Sequence, residues 1–415
     1  MPQNWNIYKL GDLCTNVYSG GTPSTTKTEY YDGEIPWLNT KEVDFKSIYS
    51  TEKFITEEGL KKSSAKWVPK NAVVIAMYGN TAGKSAITKI PLTTNQACCN
   101  LIVDDKIADY RFVYYYVLND YELIKDLSVG GAQQNLNAGT IKNYEVKLPP
   151  LPEQTAIASI LSALDDKIEL NLQQNKTLEE MAMALYKHWF VDFGPFKDGK
   201  FVESELGRIP EGWEVKRLNE IAQNKTTTFN FKGREDVVFV NTGDVQEGRF
   251  LHSNRSQSTS LPGQAKKAIA PGDILYSEIR PKNKRFAFVN FDSSDYVVST
   301  KFMIIKPIEG KINNRLLYRI LTKQDTVDHF NMIADGRSGT FPQITFDAIS
   351  EYLIALPCIE IQNEFQRLVE SFELKQDVLF NENQNLTQLR YSLLPKLISG
   401  EVRVKNIEPQ INAIA

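Results

Sequence analysis

Two kinds of loop in this chain combine glycine, amide and cationic side chains in a way that suits contact with phosphates or with base edges. The first is Tyr78-Gly79-Asn80-Thr81-Ala82-Gly83-Lys84-Ser85, and at the matching place further on stands Arg280-Pro281-Lys282-Asn283-Lys284-Arg285. The second is Gly130-Gly131-Ala132-Gln133-Gln134-Asn135, matched 208 residues later by Gly336-Arg337-Ser338-Gly339-Thr340-Phe341-Pro342-Gln343. Gln and Asn amides can pair bidentately with adenine, and an Arg guanidinium with guanine, whereas Lys reads phosphate without sequence information.

Other chemistries fit less well. Residues 78–85 look like a phosphate loop but fail on count: the glycines are one residue too close, and Tyr78 holds the required glycine position. The following Ala86-Ile87-Thr88 reads as strand, so no helix N-terminus faces an anion. The expectation is a glycine turn carrying an exposed Lys84. Neither an N/D-P-P-Y/F motif nor G-x-G-x-x-G occurs, so no methyl-transfer or dinucleotide site is expected in the chain. Cys14, Cys98, Cys99 and Cys358 form no C-x-x-C, and His188, His252 and His329 are scattered, which argues against a metal centre. Cys98-Cys99 reads as buried strand, and His188 as a packing residue.

These loops need a scaffold, and the scaffold is duplicated. Trp5-Asn6-Ile7-Tyr8-Lys9-Leu10 matches Trp213-Glu214-Val215-Lys216-Arg217-Leu218 at an offset of 208. Ile35-Pro36-Trp37-Leu38-Asn39-Thr40 matches Val237-Val238-Phe239-Val240-Asn241-Thr242 at 202, and Pro69 matches Pro271. Leu148-Pro149 matches Leu356-Pro357, and Gln154 matches Gln362, again at 208. Each copy begins with short β-like runs between turns, interrupted by a helical pattern near residues 108–125 and 314–326. This reads as a compact α+β domain.

Each copy then continues into a long helix. Alternate steps of four and three give Ile157, Leu161, Leu164, Ile168, Asn171, Asn175, Leu178, Ala182, Leu185 and Trp189. In the second copy they give Ile361, Phe365, Leu368, Phe372, Lys375, Leu379, Glu382, Leu386, Leu389, Leu393 and Lys396. Such heptad seams must be buried, and the economical arrangement packs the two helices as an antiparallel coiled coil.

Hydrophobic residues at 42% and charged residues at 24% exclude wholesale disorder. The formal net charge of −3 excludes a uniformly basic chain. By segment, residues 1–150 are neutral, residues 213–357 carry net +4, and the remainder net −7. The acidity therefore lies on the helical parts, which suits a protein partner better than phosphate. Apolar runs such as residues 72–77 are far shorter than a membrane span. The opening residues carry no basic-then-apolar leader pattern, and the chain reads as a reduced, soluble, cytoplasmic protein.

Taken together, these features resemble the specificity subunit of Type I restriction–modification systems. The matching words are Ser19-Gly20-Gly21-Thr22-Pro23-Ser24, Tyr78-Gly79 with Gly83-Lys84, and Leu148-Pro149-Pro150-Leu151-Pro152-Glu153-Gln154. Further on come Phe190-Val191-Asp192-Phe193, Ile209-Pro210-Glu211-Gly212-Trp213 and Leu393-Leu394-Pro395-Lys396-Leu397-Ile398-Ser399-Gly400-Glu401-Val402. The second copy departs at Leu356-Pro357-Cys358-Ile359-Glu360-Ile361-Gln362 and lacks a G-G-T-P-S match near Thr226-Thr227-Thr228-Phe229.

The resemblance implies two target-recognition domains, residues 1–150 and 213–357, each followed by a spacer helix, residues 151–190 and 358–400. Residues 191–212 would form the linker and 401–415 a tail. It also implies a non-catalytic chain that reads a bipartite double-stranded DNA site, docks methyltransferase subunits and is joined by restriction subunits. S-adenosylmethionine and ATP would belong to those partners. The DNA-facing set would include Thr22, Ser24, Lys27, Tyr78, Lys84, Gln133, Gln134 and Asn135 in the first copy. In the second it would include Arg234, Arg280, Lys282, Lys284, Arg285, Arg337 and Gln343. The rival reading is a coiled-coil scaffold whose duplicated domains bind protein.

Overall fold

The computed structural model describes residues 4–127, 135–337 and 341–404. It divides into two compact units: one formed by the chain up to Asn171 together with the stretch from Glu382, the other by Leu172–Asn381.

In the first unit a five-stranded sheet runs in the order Cys14–Ser19, Cys98–Val103, Val73–Ala76, Ser85–Thr88, Lys46–Ile48. Val73-Val74-Ile75-Ala76 lies near its centre and is buried throughout, as a continuous apolar run should be when both sheet faces are covered. A four-stranded sheet, Lys53–Ile55, Tyr31–Leu38, Leu92–Thr94, Trp67–Val68, contains the parallel pairing of Trp37 with Thr93. Asn6–Lys9 pairs antiparallel with Glu145–Leu148, in the register Asn6 to Leu148.

The second unit repeats this plan. One sheet runs Ala222–Asn224, Phe302–Pro307, Ile274–Ser277, Phe286–Phe288. The other runs Thr227–Thr228, Ala265–Ala268, Tyr296–Ser299, Asp236–Val240, Arg255–Gln257, with Phe239 parallel to Val297. Glu214–Arg217 pairs with Leu353–Leu356 in the register Glu214 to Leu356. Asn39 and Asn241, matched in sequence, each cap a 3₁₀ turn whose third residue, Glu42 or Asp244, reaches back to the cap N–H.

The long helices span Leu151–Phe190 and Ile359–Ile398, 40 residues each. In the first unit Glu153 pairs with Arg403, Asp165 with Arg390, and Asn171 with Asn383, so the helix segments run antiparallel. In the second unit Asn175 meets Gln376, while Tyr186 and Trp189 pack on Phe365, again antiparallel. The first helix buries Ile157, Leu161, Asn171, Ala182 and Trp189 from the expected seam.

The second helix departs from expectation. Leu368, Lys375, Leu389 and Lys396 are exposed. The covered stripe keeps Phe365 and Leu379 from the expected seam and adds Gln362, Val369, Glu373, Leu394 and Leu397. Buried polar residues lie on this stripe, and partners of theirs come from distant segments, so apolarity alone traces the buried face only in part. Glu373 Oε1 lies 2.7 Å from Arg319 Nη1 as an ion pair, with both side chains almost fully buried.

Candidate nucleic-acid interface

In each domain a hairpin leaves the central strand, turns, and returns. In the first, Val73–Ala76 leads through the turn Gly79–Thr81 to Ser85–Thr88, and Ala76 N–H donates to the Lys84 carbonyl at 2.9 Å. In the second, Ile274–Ser277 leads through Pro281–Asn283 to Phe286–Phe288, and Ser277 N–H donates to the Arg285 carbonyl at 2.9 Å. The chain then crosses the base of each hairpin a second time. Tyr78 bridges Asn135, and Ile279 bridges Gln343. One residue along, Leu136 N–H donates to the Met77 carbonyl and Ile344 N–H to the Glu278 carbonyl, each at 2.8 Å. The two sequence-matched loop pairs therefore meet in both domains.

Both turns need left-handed backbone at two points. The first domain supplies Gly79 (φ 68°) and Gly83 (φ 83°), where a side chain is no hindrance. The second places Arg280 (φ 46°) and Lys284 (φ 52°) at the equivalent points. A non-glycine residue there carries strain of roughly 1–3 kcal/mol, and such strain gathers at functional sites.

The first-domain candidates divide by environment. Tyr78 and Asn135 are exposed. Lys84 is not the free cation expected: its ammonium sits 2.6 Å from Asp44 Oδ1 and 5.6 Å from the Phe45 ring centre, with the side chain 26% exposed. Thr22 donates to Gln96, whose neighbour Ala97 accepts at its carbonyl from Met77 N–H at 2.8 Å. That chain of contacts leads from the Gly20-Gly21 segment to the hairpin base. Both glycines are required by packing, because a Cβ on Gly20 would lie 2.1 Å from the Thr94 carbonyl and one on Gly21 2.2 Å from Ala65 N. Exposed Ser24 shares a hydrogen bond with Thr26 at 2.9 Å, and exposed Lys27 lies 3.4 Å from Glu29. Gln133 and Gln134 lie outside the described residues.

In the second domain Arg280 and Lys282 are exposed and Arg285 is half-buried. None of the three has a carboxylate within 4 Å among the described residues. Lys284 pairs with Glu247 at 3.3 Å. The helix Gln324–Arg337 extends through Gly336 and Arg337, which were expected in a loop, and Arg337 donates to Thr345 Oγ1 at 3.4 Å. Gln343 accepts from Lys301 at 3.5 Å. Arg234 stands apart: it pairs with Asp295, which also holds Arg255 at 2.6 Å, and lies over the Phe229 ring. Asp295 is held below the usual carboxylate range by its hydrogen bond from Arg255.

Three residues beside Gln343 went unnoticed in the sequence. Lys301 lies 3.8 Å from Glu278, and Lys267 donates to the Phe302 carbonyl at 2.6 Å. Burial holds Lys267 below the ordinary lysine range, with Lys301 adding repulsion. Lys301 and Lys267 extend the cationic surface from the turn onto the strand Ala265–Ala268, with the Glu278 carboxylate set among them. They sit in strands and strand ends, where no motif marks them.

The described residues hold no cluster of three or more His, Cys, Asp or Glu suited to a metal. No described helix is long and apolar enough to cross a membrane. Cys98 and Cys99 are fully buried in the strand Cys98–Val103. His188 lies against Gly194, where an added Cβ would meet the imidazole at 2.0 Å.

A family model described as the Type I restriction modification DNA specificity domain matches twice, over residues 2–180 and 210–388. The chain is 31% identical to the Type I restriction enzyme MjaIX specificity subunit of Methanocaldococcus jannaschii, across 98% of this chain and 95% of that one. It is 44% identical over 181 residues to the HindI specificity subunit of Haemophilus influenzae, covering 44% of this chain and 39% of that one. In fold it resembles the crystal structure of a Type I restriction–modification S subunit from M. genitalium, with a TM-score of 0.56 at 17% identity and coverage of 95% of this chain and 96% of that one. The duplicated domain, the paired helices and the double family match lead to one conclusion: the chain belongs to the specificity subunits of Type I restriction–modification systems.

Proposed function

We propose that the chain reads a bipartite double-stranded DNA site, residues 1–150 and 213–357 each taking one half. The observation that carries this is the repeated frame, Tyr78 on Asn135 and Ile279 on Gln343, which sets a turn against an amide-bearing return segment in both domains. In the second domain the turn adds Arg280, Lys282 and Arg285 without carboxylate partners among the described residues, as a phosphate-contacting surface requires. The helices over 151–190 and 358–400 act as spacer and dock methyltransferase subunits, and restriction subunits complete the assembly in the cytoplasm. The chain itself is non-catalytic, and its partners hold S-adenosylmethionine and ATP. Their positive surface also explains how a chain of net charge −3 holds DNA.

The test is reconstitution. Purified chain with labelled methyl donor and DNA should give background incorporation, and adding the cognate methyltransferase subunit should give methylation at one bipartite motif. Methylation by the chain alone, or a complex with no sequence preference, refutes the reading.

A further inference from the structure

The two hairpin bases share a backbone frame but differ in what they present. In the first domain Met77 N–H donates to the Ala97 carbonyl at 2.8 Å, and both side chains are buried. In the second, Glu278 N–H donates to the Lys301 carbonyl at 2.9 Å. Glu278 and Lys301 thus occupy the places of Met77 and Ala97, and the frame closes without charge in the first domain. The charges are therefore not needed to build it.

Their setting points outward. The Glu278 side chain is 20% exposed and that of Lys301 43%. Lys301 lies between Glu278, at 3.8 Å, and Gln343 Oε1, at 3.5 Å. Among the described residues the Glu278 carboxylate accepts no hydrogen bond at 3.5 Å or less, and the Lys301 ammonium is the one cation within 4 Å of it. Arg280 is two residues away, and Lys267 feels the Glu278 charge from the adjoining strand. A carboxylate on such a surface repels phosphate and so opposes backbone binding. It can only accept hydrogen bonds, and two base edges offer a donor in the major groove, adenine N6 and cytosine N4. The adenine amino group stands between two acceptors, N7 and the paired thymine O4, which repel a carboxylate, so the cytosine N4 amino group suits it better.

We propose that Glu278 is a specificity-determining residue that accepts from the N4 amino group of a cytosine in the half-site read by the second domain. Lys301 is a positioning residue: it holds Glu278 and Gln343 side by side and offsets the carboxylate against nearby phosphates. The inference rests on the DNA-reading role proposed above.

The experiment is methylome sequencing of cells carrying the chain with its cognate methyltransferase subunit, as wild type, Glu278→Gln and Glu278→Met. The first domain's Met77 indicates that methionine fits the frame, and co-purification with the methyltransferase subunit checks that each variant assembles. The expected wild-type motif has a cytosine, on one strand or the other, in the half assigned to the second domain. Both variants should lose discrimination at that one position by roughly ten- to hundredfold, with the other half-site unchanged. Assembled variants that methylate the wild-type motif with undiminished discrimination overturn the role of Glu278 alone, as does a second half-site without a C·G pair. A wild-type complex without any sequence preference overturns the DNA-reading role, and this inference with it.

Discussion

Gln154 and Gln362, 208 residues apart, make the same three hydrogen bonds, each at the start of its own long helix. Gln154 accepts from Asp109 N–H at 3.0 Å and donates to the Ile107 carbonyl at 3.3 Å and the Pro149 carbonyl at 2.9 Å. Gln362 accepts from Asn313 N–H at 3.1 Å and donates to the Lys311 carbonyl at 3.3 Å and the Pro357 carbonyl at 3.0 Å. Asp109 and Asn313 in turn cap the domain's own helix. One buried amide thus ties the long helix to the N-terminus of the helix packed beside it.

Removing that amide leaves buried backbone groups without partners. Gln154→Ala and Gln362→Ala should each destabilise the unit concerned by roughly 1–3 kcal/mol for the orphaned groups. Glutamate at either position should be worse, because the buried carboxylate cannot donate to the two carbonyls. Urea unfolding of the full chain measures this, and an alanine variant as stable as wild type contradicts it.

A second buried tie differs between the copies. Tyr115 donates to Asp165 at 2.7 Å, and at the matching places Arg319 meets Glu373 at 2.7 Å. Arg319 is 2% exposed and Glu373 5%; without Arg319 the Glu373 carboxylate keeps the more distant Arg315 at 3.7 Å and the Gln366 amide, and loses its nearest charge partner. Arg319→Ala should destabilise by about 3–5 kcal/mol. Arg319→Tyr with Glu373→Asp copies the first unit's solution and should recover most of the loss. A double variant no more stable than Arg319→Ala refutes the equivalence.

Strain at Arg280 gives opposite expectations for stability and binding. Arg280→Gly relieves the left-handed backbone at φ 46° but adds freedom to the unfolded chain. Relief of roughly 1–3 kcal/mol of strain, less roughly 0.4–1 kcal/mol for the freer unfolded chain, should leave stability unchanged or raise it by up to about 2 kcal/mol. Binding by the assembled complex should weaken for every sequence, and the salt slope should fall by about one unit if the guanidinium contacts phosphate. Lys282→Ala should act in the same way. Salt titrations of DNA binding check both, and unchanged slopes refute the contact.

These residues also mark how far the sequence can be read. The first helix seam was legible because Ile157, Leu161, Ala182 and Trp189 are apolar and buried on one face. The second was legible only in part: Phe365 and Leu379 are buried as expected, but Glu373 is buried beside Arg319, 54 positions away in the chain, while Leu368 lies 45% exposed. The correspondence of the loops between copies was legible through the recurring offsets of 202 and 208, but their meeting at the hairpin base was not. The neutralisation of Lys84 by Asp44 was not, since that pair joins strands 40 residues apart. Glu278 and Lys301 belong to no motif, and only the hairpin base brings them beside Gln343.

Cysteine reactivity offers a check on packing. Burial pushes the Cys14 and Cys99 thiols up to about 12, and raises Cys98 further, while Cys358 is exposed. At pH 8 alkylation of the native chain should therefore reach Cys358 first, with the other three reacting only on unfolding. The unfolded chain ionises its thiols near pH 9, whereas folded Cys99 keeps its proton to about 12. Between those values the unfolded state binds fewer protons, so Cys99 lowers stability as pH rises, by at most about 1.4 kcal/mol per unit. Mass-resolved alkylation tests the first statement, and the alkaline limb of the stability curve in Cys99→Ala, which should be shallower, tests the second.

The polar layer at Asn171 should trade stability for a single register. Asn171 is fully buried and donates to Glu382 Oε2 at 2.8 Å and Asn383 Oδ1 at 2.9 Å, while Asn383 donates to the Ile168 carbonyl at 3.3 Å. These bonds form only when the two helix segments stand in this antiparallel register, and a slip by one turn loses all three. A polar pair at a seam position specifies pairing in this way at some loss of stability. Asn171→Leu alone leaves Asn383 and Glu382 facing an apolar group and should destabilise the first unit by roughly 1–3 kcal/mol. Asn171→Leu with Asn383→Leu removes the amide pair, leaves Glu382 its Lys167 partner at 3.3 Å, and should restore or raise stability, since two leucines pack where amides stood. The double variant should lose uniqueness instead, eluting as a mixture of oligomers or showing broadened signals from the helix pair. Size-exclusion chromatography with light scattering and urea unfolding separate the outcomes. A double variant that is both more stable and uniformly of wild-type size would show that the apolar seam alone sets the register and that the asparagines do not.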